Sequence, residues 1–111
     1  MAYLQAKLKE AAEELKTTGI KVRNMYFSYT QGISMSFEPI TRANKIPQLK
    51  NYLETRTARF SSTPEFNLQN HTYNLKFYYA QGNRREQEKV YFEFIQFLID
   101  GSINIRLRKS A

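Results

Sequence analysis

The chain has 111 residues, no cysteine and a net charge of +7, from 17 Lys and Arg against 10 Asp and Glu. Disulfides and thiolate metal sites are excluded. A hydrophobic fraction of 41%, with eight Tyr and eight Phe, indicates a folded globule rather than a basic disordered tail.

This length gives a single domain over 1–111, able to bury a core without staples. The first 18 residues are charged and amphipathic and lack the apolar run of a signal peptide. The longest mostly apolar stretch, Val90 to Ile99, is too short to span a bilayer. An intracellular, cytoplasmic chain with no membrane partner is expected.

Residues 2–18 read as a helix. Leu4, Leu8, Ala11, Ala12 and Leu15 fall on one face, and Gly19 follows as a left-handed C-terminal residue. A hairpin comes next. Met25, Phe27 and Tyr29 alternate with polar neighbours, as do Ile33, Met35 and Phe37 after the Gln31-Gly32 turn. Ile20 and Val22 are out of phase with Met25, which predicts a bulge near Arg23-Asn24.

A second helix is expected from Lys45 to Phe60, with Asn44 as cap, Pro47 in the first turn, and Ile46, Leu49, Leu53 and Phe60 as the buried stripe. Residues 61–71 read as a loop, and residues 73–79 as a strand. Val90 to Ile99 fits either state. As a helix it has Asn83 as N-cap and Gly101 beyond its end. As a strand it has high β-propensity and the Asp100-Gly101 hairpin turn, which pairs Leu98 with Ile103 and Phe94 with Leu107. The strand reading is preferred.

Asn24–Gly32 and Asn74–Gly82 are identical at five of nine positions, suggesting a tandem αββ pseudo-repeat with units 1–40 and 44–99. The expected fold is α+β: one mainly antiparallel sheet with two helices on one face, in the order αββαβββ.

Catalytic chemistry is sparse. Asp100 and His71 are the only residues of their kinds. Neither a metal-ligand set nor a nucleophilic triad assembles from them, and four glycines leave no phosphate loop. Glu86, Glu88 and Glu93 read as solvated charges. No enzyme activity, metal or cofactor is expected.

Binding chemistry is richer. Residues 15–85 hold 11 basic residues against three acids, a net +8, leaving −1 for the two ends. Such a field attracts a polyanion or an acidic protein surface. At 100° per residue, Lys45, Tyr52, Arg56 and Arg59 form one ridge on the second helix, with Arg42 near its start. On the strand assignment the outward sheet face carries Tyr26, Ser28, Lys76, Tyr78, Tyr91, Arg106 and Arg108, rings and cations of the kind that hold single-stranded nucleic acid. Arg84 and Arg85 extend either surface. The same assignment turns Tyr91, Ile95, Phe97 and Ile99 outward, a candidate oligomer or partner interface, and so points to a homodimer.

The expected function is a non-enzymatic module that binds nucleic acid at its phosphate backbone. The alternative is a small inhibitor or adaptor of phage or mobile-element type, docking on an acidic surface or a nucleic-acid channel of a partner protein.

Overall fold

A computed structural model of the chain describes residues 2–40, 42, 44–56, 60, 64–69 and 72–107. Its elements in order are α1 (Ala2–Thr17), β1 (Ile20–Ser28), β2 (Gly32–Pro39), α2 (Ile46–Thr55), β3 (Glu65–Gln69), β4 (Thr72–Phe77) and α3 (Arg84–Leu107). The strands form one antiparallel sheet in the order β1-β2-β4-β3, with the helices packed against it. The class is therefore α+β, as the periodicities indicate. None of the described helices is long and apolar enough to cross a membrane.

The first half follows the sequence closely. Leu4, Leu8, Ala11 and Leu15 are buried, and α1 ends with Gly19 at φ 94°. The register of β1 against β2 shifts between Val22 and Asn24, at the predicted bulge. In β2, Ile33, Met35 and Phe37 point into the core while Ser34, Ser36 and Glu38 point away. Helix α2 starts where Asn44 Oδ1 accepts the Ile46 N–H at 3.0 Å, and it buries Ile46, Leu49 and Leu53.

The second half departs from it in three ways. Helix α2 ends at Thr55 rather than Phe60, although Phe60 is still buried, among Phe77, Phe94 and Phe97. The segment read as a loop contains β3, which pairs with β4 in regular register. The largest difference is at the C-terminal third. Residues 84–107 are one helix, so among the described residues no strand follows β4 and a third helix joins the predicted two.

Burial on more than one side explains α3. Asn83 Oδ1 accepts the Glu86 N–H at 2.9 Å and starts the helix. Tyr91 and Phe94 then meet Phe77 of β4, with the Phe94 and Phe77 rings stacked at 4.0 Å, and Tyr91 also meets Phe27 of β1. Phe97 turns toward Tyr52 of α2. A helix enclosed by the sheet, α1 and α2 is apolar on much of its circumference, which hides the amphipathic period and resembles a β-rich run. Gly101 sits inside this helix and makes no hairpin turn. The missing side chain lets the Tyr52 ring approach: a Cβ built there would lie 2.8 Å from it.

The nine-residue match lies on β1 with its turn and on β4 with the loop after it. Both strands run antiparallel to β2 and so parallel to each other. Phe27 and Phe77 both contact Tyr91, and Gly32 and Gly82 share φ values of 76° and 78°. The likeness stops there, because β2 follows Gly32 whereas α3 follows Gly82.

Candidate functional site

Among the described residues the helices lie on one side of the sheet and none covers the other. Cross-strand register arranges its residues in rows. Tyr26, Ser34, Lys76 and Glu65 make one row across all four strands, and Asn24, Ser36, Asn74 and Asn67 make the next. Beyond the first row, toward the β1–β2 turn, lie Ser28 and, just past the end of β4, Tyr78, whose Cα adjoins Gly32. This surface is polar and only weakly charged; rings gather at its turn end, where Lys76 is the cation and stands opposite Glu65.

Two devices shape that end. Tyr26 donates its hydroxyl to Gln31 Oε1 at 2.6 Å, and the Gln31 N–H reaches Ser28 Oγ at 3.0 Å, so the turn holds the Tyr26 ring against the sheet. Gly32, at φ 76°, brings β2 against the end of β4. A Cβ there would lie 2.2 Å from the Phe77 carbonyl oxygen and 3.0 Å from Tyr78 Cα. Glycine is required for the conformation and for the close approach. Tyr26 is 43% and Tyr78 47% exposed, so both rings present area to solvent while their positions are set. With strands about 4.8 Å apart, Tyr26 and Lys76 stand roughly 10 Å from each other across β2, and Tyr78, the residue after β4, lies about 7 Å beyond Lys76.

The opposite end of the face carries Lys21, Arg23 and Glu38. Arg23 Nε lies 2.9 Å from Glu38 Oε2. The Arg23 hydrogen bond, aided by the charges of Arg23 and Lys21 and by Thr72, holds the Glu38 carboxyl below its usual range. The bulge puts both Lys21 and Arg23 on the uncovered side. These two cations, with Ser34, Ser36 and Asn74, are site residues that the sequence reading does not single out. The predicted bulge is the signal that could have found Lys21 and Arg23.

At the rim, Arg84 lies 4.3 Å from the centroid of the Tyr29 ring. Tyr29 and Tyr3 both donate their hydroxyls to the Glu88 carboxylate. Those two bonds pull the Glu88 carboxyl down and, with desolvation, push Tyr29 up and Tyr3 up to about 12. Arg85, one residue on, lines a separate depression between α1 and α3 with Tyr3, Lys89 and Phe92.

The sequence-predicted residues thus divide. Tyr26, Ser28, Lys76 and Tyr78 come together at the turn end, whereas Arg84 stands over Tyr29, a ring that packs on Phe27 and bonds Glu88 on the helix side. Of the helix ridge, Tyr52 and Arg56 come together. Lys45 precedes the first turn of α2, while Tyr52 is half-buried between Phe97, 5.4 Å away, and the Arg56 guanidinium, 4.2 Å away, at the other end. Arg42 belongs to the β2–α2 connection, at the end of β2 away from the turn. Arg59 and Arg108 lie outside the described residues.

Two groups are corrected. Arg106 is on α3, paired with Glu14 Oε2 at 3.2 Å, and has no place on the sheet. Tyr91, Ile95, Phe97 and Ile99 are at most 3% exposed, because the segment is a core helix, so they form no interface. The Tyr91 hydroxyl is fully used: it donates to the Tyr79 carbonyl and accepts the Tyr79 N–H, each at 2.8 Å.

Comparison of the chain with protein-family models, with curated proteins and with solved structures gives no match.

Proposed function

We propose that this protein is a non-enzymatic module that binds single-stranded nucleic acid on the uncovered face of its sheet. The observation that carries the reading is the assembly of Tyr26, Lys76 and Tyr78, two exposed rings and a cation, at one end of that face. Flat rings accept bases of any identity, and a cation at their side can meet the phosphate that joins neighbouring nucleotides. The +7 net charge draws the polyanion in. The polar Ser and Asn rows offer hydrogen bonds to sugar and phosphate without demanding a sequence.

The test is fluorescence-anisotropy titration against a single strand of DNA, the same DNA as duplex, and RNA, each at two salt concentrations. Single strands are expected to bind more tightly than duplex. Tyr26→Ala or Tyr78→Ala should each weaken binding by about 1–3 kcal/mol, with the salt slope unchanged. Lys76→Ala should lower that slope by about 0.7, the share of one phosphate on a single strand. Full affinity retained in the Tyr26→Ala/Tyr78→Ala double variant removes the face from the function. Absence of binding at low salt removes nucleic acid and leaves the charge to an acidic protein partner.

A further inference from the structure

The two edges of the sheet are built differently. β1 carries Lys21, Arg23 and a bulge, the usual devices that keep an exposed strand from pairing with another chain. β3 has none of them. Its five residues, Glu65-Phe66-Asn67-Leu68-Gln69, contain no Lys, Arg or Pro, and its register with β4 is regular throughout. Leu68, on the same side of the sheet as the core residue Leu75, is 62% exposed, while Phe66 beside it is half-buried against Phe37.

The strand is also self-complementary. About a two-fold axis at Asn67, an antiparallel copy sets Phe66 opposite Leu68 of the partner subunit and Glu65 opposite Gln69 of the partner subunit. Asn67 meets its own counterpart. Apolar meets apolar on the helix side, amide meets amide or carboxylate on the uncovered side, and no like charges are opposed. Among antiparallel registers, this one pairs all five residues and covers Leu68.

We infer that β3 is the docking edge for a second copy of this chain, the two strands pairing antiparallel about Asn67 to join two four-stranded sheets into one. Pairing of strands this short buries less than about 1,200 Å², so the dimer is weak, with a dissociation constant on the order of 10–100 µM. The inference is independent of the proposed ligand, because its readout is mass.

Sedimentation equilibrium over a concentration series tests it. The wild-type mass is expected to rise from monomer toward dimer. Asn67→Lys, which sets two ammonium groups against each other at the axis, should hold the monomer mass with an unchanged circular-dichroism spectrum, and Leu68→Ser should weaken association at least fivefold. Because the chain has no cysteine, Asn67→Cys is a clean second probe. Antiparallel Cα spacing of about 4.5–5.5 Å suits a disulfide, so mild oxidation should cross-link it at least tenfold faster than Asn51→Cys on the exposed side of α2. A wild-type mass that stays monomeric at every concentration overturns the inference. So does an Asn67→Lys variant that associates like wild type, or Asn67→Cys that cross-links no faster than Asn51→Cys.

Discussion

Glu88 ties three parts of the chain together through two phenolic hydroxyls, Tyr3 on α1 and Tyr29 at the β1–β2 turn. The arrangement has a defined pH signature. The folded Glu88 carboxyl titrates below its unfolded value, so its contribution is complete above about pH 4.3 and is lost as pH falls through the lower folded value. The tyrosines run the other way. Tyr3, pushed up to about 12, contributes fully below about pH 10 and loses that contribution as pH rises toward its folded value. Glu88→Gln should flatten the acid and alkaline limbs of the melting-temperature profile together; curves parallel to wild type across both limbs would remove the coupling. None of this was legible in the sequence, where Glu88 reads as one solvated charge among several. Sequence spacing carries no information on a contact between residues 3 and 88. The start of α3 was legible, because Asn83 acts on a backbone group three residues away, whereas the N-cap of α2 is Lys45 and Asn44, one residue earlier, bonds the Ile46 N–H.

At the scale of elements, the reading succeeds where one side of an element is wet and fails where the element is enclosed. α1, β1 and β2 each expose one side, so their periods are visible. α3 packs against the sheet, α1 and α2, and its Val-Tyr-Phe-Glu-Phe-Ile run lost the period that would have distinguished helix from strand. Gly101 added to the error, since Asp-Gly is a strong hairpin signal. Its use as a contact point for Tyr52 gives a sharp prediction. Gly101→Ala should gain roughly 0.5–1 kcal/mol of helix propensity yet destabilise the protein, because the new methyl group meets the Tyr52 ring. In a Tyr52→Ala background the same substitution should become stabilising. Urea denaturation of the four proteins of this double-mutant cycle measures the reversal, and an unchanged sign would show that the ring is not what Gly101 accommodates.

Across the whole molecule, the charge excess is divided among the two ends of the sheet and the helix layer rather than gathered in one patch. Composition revealed the excess, and strand alternation revealed Tyr26, Ser28, Lys76 and Tyr78. Their convergence depended on β4 joining β2, a pairing of residues about 40 apart that no local pattern announces. Binding should reflect the division. Arg56→Ala, on the helix layer, should leave single-strand affinity within about twofold of wild type, because distant charges are screened beyond a Debye length of about 8 Å. An anisotropy titration showing a loss as large as that of Lys76→Ala would move the site to α2. The strand order β1-β2-β4-β3 also bears on how the chain reaches its native state. Two hairpins form locally, and one seam between β2 and β4 joins them, closed by a connection that runs through α2 and β3. Zipping that seam is the step that pays loop-closure entropy. Glycine insertions between β2 and α2 should therefore slow folding, by about threefold for each doubling of the connection, while unfolding stays near its original rate.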